Sequence, residues 1–289
     1  MDESLELGRF GTIWTPDGDV NFPVNAPTPS GPEVVVVSVG NSRVKFAKAR
    51  GEELDDSRAI GKDDVQDAVA AIVELAKPDG RPVVMASVNN AVADVIEKGV
   101  VAGGVEVYRL GRDLQVPINH ALDDASTVGQ DRLLNAFGAY ARSKQACIVI
   151  DTGTAITVDF VDGEGTFQGG MIAPGLRAML GAMHSSTAAL PRLDFAPPDT
   201  ARGVFGKDTA HAMLLGVQAA VRGIVRYAVD TYAEAYGGYP RVIATGGDAR
   251  RLLENEPVVE NIVSDLQLIG LAAVCNAVLD GGDDEGDDA

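Results

Sequence analysis

The stretch Asp151-Thr-Gly-Thr-Ala-Ile-Thr-Val-Asp159 decides how this chain is organised. It follows the apolar run of residues 146–150, which is typical of a buried strand. Alternating β-branched residues at 155–158 then predict a returning strand, so the segment forms a hairpin with Gly153 at its tip. Such a turn offers backbone N–H groups and Thr hydroxyls, which can bind a phosphate without a basic side chain. Alone, the same residues also fit an ordinary turn, so their partners elsewhere must decide.

A second segment has the same design about 110 residues earlier. Residues 34–38 are a continuous apolar run bounded by Pro and Gly, residues 44–48 form the returning strand, and Gly40-Asn41 has strong turn chemistry. Strands and helices alternate after each hairpin, which predicts α/β layers with ligands at the strand ends. We therefore expect two halves that face one another across a cleft, with both hairpin tips holding one ligand.

The remaining elements follow from hydrophobic periodicity and from turn residues. The predicted helices cover residues 65–76, 91–98, 133–142, 266–279 and a long segment after Gly206-Lys-Asp-Thr209. Strands are predicted at 82–86, at 105–108 on a sheet edge, and at 242–248 before a glycine turn. Residues 169–175 are interpreted as a glycine-rich loop ahead of a helix that ends near Met183.

Composition excludes several classes of protein. The 289 residues carry a net charge of −18 without a basic stripe, so binding of nucleic acid through its backbone is not expected. Cys147 and Cys275 lie in apolar runs and are interpreted as buried free thiols of a reducing cytoplasm. The three histidines lack the spacing of zinc ligands. Arg or Asp interrupts the longest apolar stretches, so no membrane-spanning helix is expected.

Four segments are expected from these patterns. Residues 1–33 begin acidic and end in a Pro/Gly-rich run, which predicts a flexible N-terminal extension and no signal peptide. Residues 34–145 and 146–280 correspond to the two halves. Residues 281–289 are an acidic tail with the composition of a disordered segment. A cytoplasmic location is the expectation.

Five separated signatures occur in one order along the chain. They are Ser38-Val-Gly-Asn-Ser42, Gly129-Gln-Asp-Arg132, Asp151-Thr-Gly-Thr154, Gly169-Gly-Met-Ile-Ala-Pro-Gly175 and Ala244-Thr-Gly-Gly-Asp248. Together they resemble the type III pantothenate kinases of the actin-like ATPase superfamily, over roughly residues 34 to 279. The resemblance implies two ribonuclease-H-like (actin-like ATPase) domains with a cleft between them. It also implies transfer of phosphate from ATP to pantothenate, giving 4′-phosphopantothenate in the first step of coenzyme A biosynthesis.

The resemblance also implies roles for single residues, in a homodimer that uses ATP, Mg²⁺ and a monovalent cation (K⁺ or NH₄⁺). Asp131 would be the general base for the pantothenate hydroxyl, Arg132 would hold the pantothenate carboxylate, and Asp151 would be the monovalent-cation ligand. The implied pantothenate-binding residues are Gly129, Gln130, Asp131, Arg132 and Thr209. The implied ATP-binding residues are Ser38, Val39, Gly40, Asn41, Ser42, Arg43, Val44, Lys45 and Thr154. The structural alternatives are a surface salt bridge at a helix start for Asp131 and Arg132, and a helix N-cap for Thr209.

The chain departs from the family pattern at two places. The family has Asp where this chain has Ser38, and a serine hydroxyl brings no negative charge to Mg²⁺. Leu122 replaces the usual aromatic residue ahead of the second signature, where Asp123 or Asp124 could supply the missing carboxylate. Two main interpretations therefore stay open. One is a working pantothenate kinase with an altered metal site, and the other is a catalytically weak or silent relative with a ligand-binding or regulatory role. A sugar or acetate kinase of the same superfamily is the remaining alternative.

Overall fold

The computed structural model describes residues 31–280 and the backbone of two short antiparallel strands, β1 (Thr12–Ile13) and β2 (Val20–Asn21). The predicted flexible extension over residues 1–33 falls outside the described residues, apart from these strands and residues 31–33. The predicted tail at 281–289 lies entirely outside them.

The first sheet contains five strands, and three of them form an antiparallel meander. Their bounds are β3 (Glu33–Val39), β4 (Arg43–Arg50), β5 (Glu53–Gly61), β6 (Val83–Ser87) and β7 (Val107–Arg109). The spatial order is β5-β4-β3-β6-β7, with β6 parallel to β3 and β7 parallel to β6. The predicted hairpin around Gly40 is confirmed, as is the predicted edge strand, which is β7.

The second sheet repeats this plan. Its strands are β8 (Cys147–Thr152), β9 (Ala155–Val161), β10 (Phe167–Pro174), β11 (Arg241–Thr245) and β12 (Asn261–Ile262). They lie in the order β10-β9-β8-β11-β12, again with an antiparallel meander followed by two parallel strands. Both the α/β class and the predicted duplication are therefore confirmed.

Helices cover both outer faces and fill the space between the sheets. Their bounds are α1 (Val65–Ala76), α2 (Asn90–Ala102), α3 (Gln130–Ser143), α4 (Leu176–Ser185), α5 (Thr209–Tyr236), α6 (Ala249–Leu253) and α7 (Leu266–Asp280). α1 and α2 pack on the outer face of the first sheet, and α4, α5 and α6 on that of the second. α3 and α7 form the middle layer, which gives five layers in all.

The continuous valine run of β3 is explained by this layering. Val35 and Val37 face the core under α1 and α2, whereas Val34 and Val36 face α7. A strand that is covered on both faces needs apolar residues at every position and not at every second one. The same holds for β8, where Ile148 and Ile150 face one core and Val149 faces the other.

Two local expectations were wrong, and one strand was missed. Residues 169–174 belong to strand β10, because they continue the antiparallel ladder from β9, and only Gly175 precedes helix α4. The N-cap of α5 is Asp208 and not Thr209, since its carboxylate accepts the backbone N–H of His211 at 2.8 Å. Strand β5 was not predicted because its residues alternate weakly and include the Asp55-Asp56-Ser57 run.

Helix α5 corrects the expectation about apolar stretches. Among the residues that the structure describes, it is the one helix long and apolar enough to cross a membrane by length and composition. Its buried side chains, including Val217, Val221 and Val225, pack in the core of the second half. This packing accounts for the apolar residues of one face only, since 28% of the apolar segment of the helix is buried.

The middle layer depends on a close crossing of α3 and α7. A Cβ atom added to Gly138 would lie 2.8 Å from the backbone nitrogen of Gly270. One added to Gly270 would lie 2.8 Å from the carbonyl carbon of Leu134 and closer still to its oxygen. α3 contacts β8 and β9 as well as β6, and α7 contacts β3 to β6, so each helix packs on the sheet of the half to which its residue numbers do not assign it. The division at residue 145 separates the sheets but not these helices.

Replacing Gly270 with Ala tests the importance of this crossing. The added methyl group meets backbone atoms that cannot rotate away, so the helices must separate and the core beside them loosens. We expect the free energy of unfolding to fall by about 1–3 kcal/mol in urea denaturation. Gly181→Ala on α4 is the control, because its added Cβ meets no atom within 4 Å. That variant should be more stable by up to about 1 kcal/mol. Equal effects of the two changes would contradict a tight crossing.

Candidate active site

The two predicted hairpins meet tip to tip. Ser42 lies in the turn between β3 and β4, and Thr154 lies in the turn between β8 and β9. Their hydroxyl oxygens are 3.4 Å apart, although 112 positions separate them in sequence. Both turns are tight, with hydrogen bonds from Gly40 N–H to the Arg43 carbonyl and from Gly153 N–H to the Ala155 carbonyl, each 2.9 Å long. The structure therefore brings these two turns to one point between the halves.

Asp131 lies in a narrow cavity between the halves, beside the first hairpin. It is the second residue of α3, and its Oδ1 accepts the backbone N–H of Arg132 at 2.9 Å. Ser38 lines the same cavity, only 8% exposed, and donates its hydroxyl to Gln267 Oε1 at 2.6 Å. The other lining residues are Val39, Ala86, Ser87, Val88 and Leu134. The base implied by the resemblance is thus in the cleft and not on an outer surface.

Asp151 is a partly buried carboxylate close to Asp131. Its Oδ2 accepts a hydrogen bond of 2.9 Å from the side-chain amide of Asn135, one helical turn after Asp131 on α3. Burial raises the pKa of Asp151 to about 6, against the opposing effect of the Asn135 hydrogen bond. The nearby Asp131 carboxylate adds to the increase in pKa. Two carboxylates this close in a partly dry site favour a bound cation, which would offset their charge.

The residues around Asp151 fit a cation that prefers oxygen ligands. Among the described residues, no group of three or more His, Cys, Asp or Glu side chains is arranged to hold a metal by itself. Asn135 Oδ1, however, is buried and has no hydrogen-bond partner in the part of the chain that the structure describes. The side chain that donates Nδ2 to Asp151 thus also carries an unpaired oxygen, which is a hard ligand like the carboxylate. Mg²⁺ in nucleotide sites needs only one or two protein carboxylates, because phosphates and waters supply its other ligands.

Arg132 and Lys45 are both held by carboxylates. Arg132 donates to buried Asp159, with Nε 3.0 Å from Oδ1 and 3.2 Å from Oδ2, and a further bond from Nη2. Lys45 on β4 lies 3.3 Å from Asp265 and donates to the Ser264 carbonyl at 2.9 Å. These ion pairs occupy two cations of the cleft, whereas no ion pair among the described residues involves Arg43, which is exposed beside the first turn.

The other residues implied by the resemblance have varied positions. Val39 and Val44 are buried in the core under α1 and α2, so only their backbone groups can serve a nucleotide. Gln130 donates its side-chain amide to the Leu110 carbonyl at 3.1 Å, beside the N-cap Gly129. Thr209 is exposed at the first turn of α5, and no hydrogen bond among the described residues joins it to the cleft. Gly40, Asn41 and Arg43 lie at or next to the first turn.

The two candidate replacements for an aspartate at position 38 do not share that cavity. Asp123 is exposed, and Asp124 caps a short 3₁₀ turn by accepting from the backbone and hydroxyl of Ser126. Leu122 packs with Phe167 in the core between α3 and the second sheet.

Sequence reasoning missed Gln267 and Asn135. Asn135 could have been found, because it follows Asp131 by four positions and so shares its helix face. Gln267 carries no local signal, since 229 positions separate it from Ser38.

Two repeated sheets, a cleft between them and facing hairpin tips define the class of the actin-like ATPase fold. A solved structure of this fold, the activator of 2-hydroxyisocaproyl-CoA dehydratase from Clostridium difficile with bound ADPNP, matches with a TM-score of 0.50. That match covers 89% of this chain and 99% of the activator at 14% identity, so it shows the fold alone. The predicted fold class is confirmed.

The chain belongs to the type III pantothenate kinase family, whose model matches residues 34–231. A type III pantothenate kinase from Rhodospirillum rubrum is 40% identical over 162 residues, which are 56% of this chain and 62% of that relative. Another from Treponema pallidum is 32% identical over 225 residues, covering 78% of this chain and 77% of the relative. The chain thus spans less than two thirds of the first relative's length. The resemblance inferred from the five signatures is confirmed.

The raised pKa of Asp151 predicts a pH-dependent stability. An aspartate has a pKa near 3.8 when unperturbed and about 6 here, so between these values the folded state binds a proton that the unfolded state releases. The free energy of unfolding should therefore fall as pH rises from about 4 to about 6, by about 1 kcal/mol per pH unit from this group. Asp151→Asn should remove this component. Urea denaturation across the range gives the difference between wild type and variant, and a difference independent of pH would contradict the assignment.

Proposed function

We propose that this chain transfers the γ-phosphoryl group of ATP to the primary hydroxyl of pantothenate, giving 4′-phosphopantothenate in the first step of coenzyme A biosynthesis. The observation that carries this proposal is the position of Asp131, at the start of α3 in the cavity beside Ser38 of the first hairpin. Membership of the type III pantothenate kinase family supports it. The enzyme would be a phosphotransferase with an alcohol group as acceptor.

In the proposed mechanism the hairpin turns bind phosphate and Asp131 accepts a proton. Backbone N–H groups near Gly40 and Gly153, with the hydroxyls of Ser42 and Thr154, would hold the ATP phosphates between the halves. Asp131 would accept the proton of the pantothenate hydroxyl as that oxygen attacks the γ-phosphorus and ADP leaves. Arg132 would bind the pantothenate carboxylate. Phosphoryl transfer needs mainly alignment and charge neutralisation, so a net charge of −18 does not oppose it.

Asp151 and Asn135 would hold a monovalent cation (K⁺ or NH₄⁺) near the second hairpin. Mg²⁺ bound with ATP supplies charge neutralisation on the phosphates. The groups of this chain that would lie closest to Mg²⁺ are the Asp131 carboxylate and the Ser38 hydroxyl, which the Gln267 side chain orients.

A homodimer is also part of the proposal, and α5 offers a surface for it. One side of this helix is exposed and made of small residues, including Gly216 and Gly223, and an added Cβ on either glycine meets no atom within 4 Å. Tyr227 on this helix is 65% exposed. Such a surface lets a second helix approach closely.

The second candidate is a catalytically weak or silent relative that binds a ligand or has a regulatory role. Ser38 favours it, because the hydroxyl is engaged with Gln267 and no carboxylate occupies its place. Absence of 4′-phosphopantothenate with ATP and pantothenate, under Mg²⁺ or Mn²⁺ and with K⁺ present, would support this candidate.

Asp131→Asn tests the general base. The variant keeps the side-chain shape but cannot accept a proton, so kcat should fall by about 100-fold or more. Product formation is measured with labelled pantothenate at saturating ATP. Asp67→Asn, on the exposed side of α1, is the matched control and should retain wild-type kcat. Near-normal activity of the Asp131 variant would exclude this residue as the base.

Ser38→Asp tests the altered metal site. A carboxylate at this position adds charge for Mg²⁺, and the Gln267 amide can rotate to donate to it. We expect the Mg²⁺ concentration for half-maximal activity to fall on the order of tenfold, since a hydrogen bond or contact to a charged group contributes about 1.5–3 kcal/mol. An increase would show that this chain binds its metal without a carboxylate at position 38.

A further inference from the structure

Asp159 is a single carboxylate on the inner face of a buried strand. It lies on β9, is 2% exposed and faces the middle layer, whereas its neighbour Val158 faces the core of the second half. Its hydrogen-bonding partner on α3 is Arg132, which donates both Nε and Nη2 to it. Isolated buried charges are costly, and a buried ion pair is often no better for stability than apolar groups of similar size. Stability alone therefore gives no reason for this pair.

The contacts of Arg132 fix both its direction and its plane. Asp159 engages the Nε–Nη2 edge, and the guanidinium carbon lies 5.6 Å from the centre of the Phe167 ring. A guanidinium is planar and carries further N–H donors on its other edge. No hydrogen bond among the described residues uses Nη1 of Arg132. One edge is thus held by the protein while the other keeps donors for a planar anion.

The glycine-rich strand makes room for this carboxylate. Gly170 on β10 is the register partner of Asp159. A Cβ atom added to Gly170 would lie closest to the Val158 carbonyl oxygen, 2.5 Å from Asp159 Oδ1 and 2.7 Å from the Asp159 Cα atom. A larger residue at this position would displace the backbone of β9 as well as the Asp159 carboxylate. The glycine at position 170 of the Gly169–Gly175 signature is thereby explained by packing. No phosphate contact is needed to explain it.

We propose that Asp159 is a positioning residue for pantothenate binding: it holds Arg132 by one edge so that the free edge binds the substrate carboxylate. The inference rests on the proposed function, because it takes pantothenate as the substrate. Asp159 itself touches neither the substrate nor the reacting atoms. Its effect should therefore appear in substrate affinity and not in the chemical step.

The test compares two substrates in Asp159→Asn. With pantothenate, KM should rise about tenfold or more, since a charge-assisted contact is lost, while kcat stays within about threefold. With pantothenol, which has an alcohol in place of the carboxylate, KM should be the same for variant and wild type. Equal increases in KM for both substrates, or unchanged KM for pantothenate, would overturn the proposal.

A matched control separates positioning from general damage. Glu256 is buried to a similar extent, 3% exposed, and accepts from Arg226 Nε at 2.6 Å on the side of α5 and α6. Glu256→Gln removes a comparable ion pair and should leave both KM values unchanged. If Asp159→Asn fails to fold, Asp159→Glu keeps both charges, moves the carboxylate by one methylene group and should give the same selective increase in KM for pantothenate. Absence of product from wild type would refute the proposed function and this inference together, whereas active wild type with an unselective variant refutes the inference alone.

Discussion

The contact of α3 with α7 at Gly138 and Gly270 is the constraint on which the middle of the molecule depends. Because no side chains separate them at this point, the two helix backbones are in contact. This contact fixes the position of α3 along the axis of α7. Asp131 lies in the first turn of α3 and Gln267 in the first turn of α7, so the same contact sets the distance between the proposed base and the residue that holds Ser38. A catalytic geometry that spans two sheets thus rests on a crossing of two helices.

The electrostatic potential of the cleft depends on which of its cationic side chains are paired with carboxylates. Arg132 and Lys45 are each paired with an aspartate of the chain, so neither is a free counter-charge for phosphate. Asp131 and Asp151 remain close to one another, and burial raises the pKa of Asp151. Positive charge for the proposed nucleotide would therefore come from backbone dipoles, from bound cations and from Arg43, which is exposed beside the first turn. In this way an acidic chain can bind an acidic substrate without a basic pocket.

The sequence predicted the elements whose signals are local. Both hairpins, the α1 bounds and the duplicated order follow from apolar runs, turn residues and helical periodicity, because burial on one or two faces leaves those patterns directly. Strand β5 was missed, since its polar residues at the sheet edge carry no clear alternation. The glycines at 169–170 suggested a loop, yet they occur in a strand that must pass close to Asp159. Local composition cannot distinguish these two uses of glycine.

The sequence did not predict which distant segments pack against one another, and the reason is different. Nothing near Gln267 indicates that α7 packs on the first sheet, because its apolar surface would suit any partner. The sequence predicted those site residues that belong to local motifs. It missed contacts that form only when distant segments pack together, such as the hydrogen bond from Ser38 to Gln267.

The return of α7 to the first sheet affects how the protein is made. Val34, Val36 and Ala47 form an apolar surface that α7 covers, and α7 is translated more than two hundred residues later. During synthesis on the ribosome, the amino-terminal half therefore emerges with one face of its sheet uncovered. It reaches its final packing only once the last helix has left the exit tunnel. Until then the nascent chain exposes apolar surface, and the final packing of the amino-terminal half is coupled to synthesis of α7.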